Sequence, residues 1–316
     1  MRALITGVTG QDGSYLAEQL ARDGWDVYGL IRGQRNPKRE WIQSLVPDLH
    51  LIDGDLLDQS SLQRALVASE PDVVFNLGAL TFVGMSWDQP TLMTEVTGLG
   101  ALRMLEAIRA VNPSIRFVQA SSSEQFGAVR ESPQRETTPF WPRSPYGVAK
   151  LFAHHVTVNY RESYGIHASA AIMFNHESPR RGEEFVTRKI TSAAVRIARG
   201  QQTELRLGNL EAQRDWGWAP DYMRALPLIA ARETPDDYVL ATGEMHSVRA
   251  LCRAAFEAVG LDYLDYVVID DAFKRPADVN ELLGDPEKAR IHLGWEPTMK
   301  FRDIVEALVH ADLVVA

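Results

Sequence analysis

Tyr146 and Lys150 stand four residues apart in Tyr146-Gly147-Val148-Ala149-Lys150, and on a helix that spacing puts both side chains on one face. An ammonium beside a phenol favours the phenolate, drawing a group that ordinarily titrates near ~10 toward use as a base at neutral pH. The run Ser121-Ser122-Ser123-Glu124 ends 22 residues before Tyr146. A serine hydroxyl there can hydrogen-bond the same substrate oxygen. Such a set moves a proton off an alcohol while its hydride leaves for a nicotinamide.

The hydride acceptor has its own signature in Gly7-Val8-Thr9-Gly10-Gln11-Asp12-Gly13. Gly7 permits a tight turn, Gly10 lets the backbone approach a pyrophosphate, and Gly13 lets a helix press against a strand. Gln11 and Asp12 lie in the same loop, ahead of the helix whose free N–H groups and dipole suit an anion. Folds of this kind that prefer NAD end the second strand in Asp or Glu, which binds the ribose 2′-hydroxyl. Here Ile31 is followed by Arg32, whose guanidinium suits a 2′-phosphate, so NADP is expected rather than NAD. Asp55 and Leu56 are expected to flank the adenine, and Leu77 and Ala79 to lie near the ribose and nicotinamide.

These groups need elements to hold them. Short β-branched runs at Ala3–Thr6, Asp26–Leu30, His50–Asp53, Val73–Leu77, Arg116–Ala120 and Ala168–Phe174 alternate with helical periodicity at Tyr15–Asp23, Gln59–Ser69, Gly98–Val111 and Tyr146–Tyr164. That alternation predicts an α/β fold, a doubly wound (Rossmann) parallel sheet. Beyond Phe174 a loop rich in Arg and Glu leads into a helix ending near Gly200, the start of a smaller α/β substrate domain. Helix then strand follow over 219–242, Ser247–Val259 and Ile304–Leu313 read as helices, and Leu261–Ile269 reads as a strand. The expected division is 1–174 with 215–243 for the dinucleotide and a discontinuous 175–214 with 244–316 for the substrate.

The bulk composition agrees with an enzyme of this class. The chain has 316 residues, 45% of them hydrophobic and 24% charged, which disfavours disorder. A net charge of −9 repels phosphate backbones and argues against nucleic acid. The single cysteine, Cys252, allows no internal disulfide, fits a reducing cytoplasm and is expected to be a buried small hydrophobe. No run suits a membrane span or a leader, and no metal-ligand spacing is present, so His154 and His155 read as packing or surface residues.

Glycine loop, serine, tyrosine and lysine together resemble the extended short-chain dehydrogenase/reductases. Glu124 narrows the resemblance. A simple alcohol dehydrogenase needs no carboxylate beside the serine, whereas a sugar dehydratase does. Once C4 of a hexose is a ketone, the C5 proton is acidified, and a positioned carboxylate can remove it and help expel the C6 hydroxyl as water. Five blocks, Gln119-Ala-Ser-Ser-Ser-Glu124, Thr137-Thr-Pro-Phe-Trp-Pro-Arg-Ser-Pro-Tyr146, Phe174-Asn-His-Glu-Ser-Pro-Arg-Arg-Gly182, Phe185-Val-Thr-Arg-Lys189 and Arg214-Asp-Trp-Gly217, are similar to the GDP-mannose 4,6-dehydratase family, and the similarity covers essentially the whole chain.

That resemblance implies a tightly bound, internally recycled NADP, with GDP-mannose or a close GDP-hexose as substrate. It maps the hydroxyl partner onto Ser122, with Ser121 and Ser123 as helpers, the base onto Tyr146 with Lys150, and the elimination onto Glu124. Substrate contacts carry over to Asn175, Lys189, Arg214 and Arg275, and a ribose contact to Asp278. His176 and Arg181 would touch the cofactor or a neighbouring subunit of a homodimer or homotetramer. Three positions depart from the family pattern: Gly33 stands where a second arginine is usual, Leu80 where glutamine is usual, and Asp278 where glutamate is usual. They leave open the hexose accepted and the choice of dimer or tetramer. A GDP-4-keto-6-deoxyhexose reductase or epimerase would not need Glu124. A catalytically silent cofactor-binding protein would be expected to lack Tyr146 or Lys150.

Overall fold

A computed structural model describes residues 1–33, 36–273 and 277–315. Seven parallel strands form one sheet in the order Asp237–Leu240, Ala168–Met173, Arg116–Ser122, Val73–Asn76, Arg2–Thr6, Asp26–Ile31 and His50–Asp53. The chain order reverses between the first and fourth strands, which opens a crevice at their carboxyl ends, the place where such sheets bind ligands. Alternate residues feed opposite faces. Ala3, Ile5, Val73 and Phe75 pack with the helices Gln11–Arg22 and Ala219–Ala231. Leu4, Val74 and Phe117 pack with Gln59–Ser69, Leu99–Val111 and Pro145–Tyr164. The sheet is therefore covered on both sides, as its unbroken apolar strands require.

A buried polar chain ties the carboxyl ends of the three central strands. The Thr6 hydroxyl donates to Asn76 at 2.7 Å and accepts from the Gly78 N–H at 2.9 Å. The Asn76 amide donates to Gln119 at 2.8 Å, and Gln119 to the Ala120 carbonyl at 2.8 Å. Each donor here has one acceptor within reach, so the strand tips that carry the glycine loop and the serine run are fixed relative to one another.

A second core lies apart from the sheet. Ile190, Leu205, Trp216, Leu251, Phe256 and Val305 pack together, with Cys252 fully buried among them. The helices Val186–Ala198, Val248–Glu257 and Phe301–Val315 surround it. Short strands complete this half: Asn175–Glu177 beside Trp216–Trp218, Gln213–Arg214 between His246–Ser247 and Glu281–Leu282, and Leu205–Leu207 beside Val267–Ile269. Trp295, although late in the chain, packs with the sheet's cluster.

The sheet strands lie within a residue or two of the sequence reading, and the departures have local causes. The first helix begins at Gln11 rather than Tyr15, because Gly10 serves as its N-cap. Of the stretch Leu261–Ile269, only Val267–Ile269 is strand. Asp262 accepts the Leu264 N–H at 3.0 Å and turns Tyr263–Asp265 into a short 3₁₀ helix instead. Among the described residues no helix is long and apolar enough to cross a membrane.

Asp215 joins the two cores. Its carboxylate is fully buried and accepts from the Thr242 N–H and hydroxyl at 2.8 and 2.7 Å and from the Gly243 N–H at 2.9 Å. Burial pushes its pKa up to about 6, against the pull of those hydrogen bonds. Asp215→Ala strands buried donors on the segment that follows the last sheet strand. It is expected to lower stability by about 2–4 kcal/mol in urea unfolding; a change below about 0.5 kcal/mol would show the tie to be dispensable.

Candidate active site

The glycine loop is built by close approach. Gly7 sits at φ +70°, and a Cβ there would lie 2.8 Å from the Gly78 nitrogen. A Cβ on Gly13 would lie 2.3 Å from the Gly7 carbonyl oxygen. Neither distance is tolerable, so these two glycines are steric requirements of the loop. Gly10 caps the helix without a side-chain hydrogen bond, which leaves the first-turn N–H groups facing outward for an anion. Leu56 lies beneath Gly78, while Leu77 runs alongside Gly7. Asp55 holds its own turn through the Leu57 N–H at 3.0 Å.

Arg32 is exposed at the tip of its strand. Nearby, Lys38 reaches the Thr9 carbonyl of the glycine loop at 3.5 Å, and Arg39 pairs with Asp53 at 2.7 Å. Asp53 pairs in register with Ile31, so the carboxylate beside Arg32 is already neutralised by Arg39. Lys38 was not singled out from the sequence, because it is brought to the loop by the turn after the second strand and not by any motif.

The reactive cluster rests on two abutting turns. Ser122 ends its strand and accepts the Glu124 N–H at 3.3 Å. Ser144 caps the helix Pro145–Tyr164 by accepting the Gly147 N–H at 3.0 Å. A Cβ on Gly147 would lie 2.8 Å from the Glu124 carbonyl oxygen, so glycine here lets the helix start press directly on the glutamate turn. Ser122, Tyr146 and Lys150 are buried, and Glu124 is partly exposed. Ser122 hydrogen-bonds the Tyr146 phenol. Ser121 faces the other way, donating to Gln125 at 2.9 Å and lying 3.3 Å from His154. Gln125, which the sequence reading passed over, thus anchors the turn that carries Glu124. Burial lowers the His154 pKa to about 4, and its ring packs edge-on against Phe140.

The expected phenolate is not what the free protein holds. Burial pushes the Tyr146 phenol up to about 12; the Ser122 hydrogen bond opposes this and the Glu124 charge adds to it. Lys150 points to the Ala120 carbonyl at 2.8 Å, its ammonium 5.9 Å from the centre of the phenol ring. Burial lowers its own pKa to about 8. Desolvation outweighs the ammonium at that range.

The other half closes over the loop. Asn175, half-buried, begins the strand that carries His176 and Glu177. His176 lies 3.0 Å from the Asp12 carboxylate and 2.7 Å from the Phe174 carbonyl. Burial works to raise the Asp12 pKa, but the His176 charge and hydrogen bonds from His176 and Gln11 hold it down at about 2. Arg181 stacks on Phe185 at 3.7 Å and lies 3.4 Å from Glu177. Lys189 donates to the Arg206 carbonyl at 2.8 Å and lies over Phe273 at 3.8 Å. Arg214 is buried, donating to the Gln213 carbonyl at 2.8 Å. Asp278 accepts from Asn209 at 3.2 Å. Arg275 lies outside the described residues.

A sequence profile described as GDP-mannose 4,6 dehydratase matches residues 4–308. The chain is 48% identical over 326 residues to GDP-mannose 4,6 dehydratase 1 of Arabidopsis thaliana, covering 99% of this chain and 90% of the relative. It is 44% identical over 351 residues to GDP-mannose 4,6-dehydratase of Vibrio cholerae, covering 100% and 94%. Its fold superposes on the Thermus thermophilus UDP-glucose 4-epimerase solved in complex with NAD, with a TM-score of 0.85, 28% identity and 99% of both chains covered.

Two titrations check these placements. Phenolate at Tyr146, read as the ultraviolet difference between the free protein and Tyr146→Phe, is expected only above about pH 10; a midpoint near neutrality would contradict the burial argument. Because the Asp12 pKa is depressed from 3.8 to about 2, its contribution to stability is complete above 3.8 and lost as pH falls through 2. Asp12→Asn should therefore flatten the acid limb of the stability curve, and an unchanged limb would show that the carboxylate is not paired as described.

Proposed function

The chain belongs to the GDP-mannose 4,6-dehydratase family, and we propose that it converts GDP-D-mannose to GDP-4-keto-6-deoxy-D-mannose with loss of one water. The observation that carries this reading is the turn of Glu124 pressed against the turn of Tyr146, with Ser122 bonded to both. A base for an alcohol, at the helix start, and a base for the adjacent carbon acid, at the strand tip, are thereby held side by side.

The loop of Gly7, Gly10 and Gly13, whose missing Cβ atoms leave the backbone open and whose helix has no side-chain cap, fits a dinucleotide pyrophosphate. When bound there, a nicotinamide would supply reversible hydride transfer, from C4 and back to C6 with a proton taken up at C5, so that no net redox change results. As the phenolate, a form that the positive charge of a bound oxidised nicotinamide would favour over the neutral phenol of the free protein, Tyr146 Oη would take the C4 hydroxyl proton while Ser122 Oγ hydrogen-bonds the same oxygen. Lys150 keeps a positive charge behind the ring at neutral pH, since its pKa is about 8. With C4 a ketone, the Glu124 carboxylate removes the C5 proton and delivers a proton to the departing C6 hydroxyl, so water leaves across C5 and C6.

Arg32, assisted by Lys38 at the loop, supports NADP over NAD. Asn175, Lys189, Arg214, Arg275 and Asp278 are assigned to the GDP-sugar, in the half made of 175–214 and 244–316, and the dinucleotide to 1–174 with 215–243. Asp12, Gln11, His176 and Arg181 border the cofactor, with Asp55, Leu56, Leu77 and Ala79 around its adenosine and ribose. A cytoplasmic homodimer or homotetramer suits the single buried Cys252 and the family.

The test is incubation of purified protein with GDP-mannose and no added reductant, followed by mass spectrometry for loss of one water. Glu124→Gln is expected to bind GDP-mannose with turnover lower by about 10²–10⁴-fold; undiminished turnover would remove the carboxylate from the mechanism. Stoichiometric consumption of added NADPH without water loss would indicate a reductase instead.

A further inference from the structure

His176 is flanked by two atoms that can only accept. Nδ1 lies 2.7 Å from the Phe174 carbonyl oxygen and Nε2 lies 3.0 Å from a carboxylate oxygen of Asp12. A neutral imidazole has one N–H, so it can satisfy one of these contacts but not both. Its ring also stacks on Tyr222, centroids 4.6 Å apart and planes 25° apart, and a phenol face favours a cation over a neutral ring. Resting on the reading of Gly7–Gly13 as a dinucleotide loop, we infer that His176 is a permanent imidazolium. Its charge cancels that of Asp12 and keeps the first turn of the Gln11–Arg22 helix receptive to the cofactor's pyrophosphate.

The charges around it make the cancellation necessary. Asp12 is the second residue of the helix whose N-terminus would face the pyrophosphate. From the other side come Glu177, on the same short strand, and Arg181, which lies 3.4 Å from Glu177. The helix Ala219–Ala231 contributes the Tyr222 ring to this packing. Glu177 partly offsets Arg181, so loss of the His176 charge leaves Asp12, an anion at a phosphate site, with only the weaker fields of Arg181 and Lys150 to balance it. The hydrogen-bond lattice supports the same state: Gln11 donates to the second Asp12 oxygen at 2.9 Å and to the His176 carbonyl at 3.2 Å, and Ser178 donates to Gln11 at 2.8 Å. Burial alone would lower the His176 pKa, but the Asp12 charge and hydrogen bond outweigh it and raise the value above 6.5. His176 is thus a positioning residue that joins the sugar-binding half to the cofactor loop through charge.

Two measurements test this. In nitrogen NMR of the whole protein at neutral pH, where an ordinary histidine (~6.5) is mostly neutral, both His176 ring nitrogens are expected to be protonated; an unprotonated Nδ1 or Nε2 overturns the inference. For function, His176→Gln is expected to weaken NADPH binding, read by its fluorescence, by about tenfold, the size of one lost charge compensation. Asp12→Asn combined with His176→Gln is expected to restore affinity to within about twofold, since the anion is then gone. A double variant that folds but binds as weakly as His176→Gln would show a packing role only and overturn the charge argument. If the unmodified protein binds no nicotinamide dinucleotide, the reading of the glycine loop fails, and the NMR result still decides the charge on His176.

Discussion

Desolvation at the carboxyl edge of the sheet is the constraint from which the rest of this structure follows. Tyr146, Lys150, Asp12, His176 and Asp215 all titrate away from their ordinary values, and for each the largest influence is burial. A buried polar group without a partner costs about 1–3 kcal/mol, so each must be matched. The matches cross between elements: Lys150 to the Ala120 carbonyl, Asp12 to His176, Asp215 to Thr242 and Gly243. Together with the Thr6–Asn76–Gln119 chain they leave the edge little freedom. Positions needed for chemistry are held by the same bonds that satisfy burial.

Tyr146 and Lys150 show how far local spacing reaches. Four residues on a helix do place both side chains toward one buried cleft, as the sequence implies. The direction of the phenol's shift is another matter, because it depends on how much water the surrounding elements exclude. The ammonium finds the Ala120 carbonyl on a neighbouring strand before it finds the phenol. The phenol is therefore neutral in the free protein, with the Ser122 hydroxyl hydrogen-bonded to it. His154, four residues further along the helix, follows the same logic in reverse, kept neutral by burial.

The two halves were unequally legible for a physical reason. Sheet strands and their helices are long enough to show period and apolar runs, so the strands appear in the sequence within a residue or two of their places, while the first helix starts four residues earlier than its period shows. Strands such as Gln213–Arg214, His246–Ser247 and Glu281–Leu282 have two residues each, too few for any period, and exist only because Gln213–Arg214 pairs with both of the others. Likewise, Trp295 joins the sheet's core from the far end of the chain, which no local signal announces.

The sequence by itself determined the doubly wound sheet, the glycine loop, the joint presence of Ser122, Glu124, Tyr146 and Lys150, and the family, because periodicity, steric need for glycine and motif spacing are all written locally. Only the tertiary structure decided that Ser121 turns to Gln125 and His154, that Lys38 reaches the Thr9 carbonyl, that Gln125 braces the glutamate turn, and that His176 and Asp12 meet across 164 residues. Those outcomes depend on through-space partners and on the exclusion of water, and neither exists until the chain has folded.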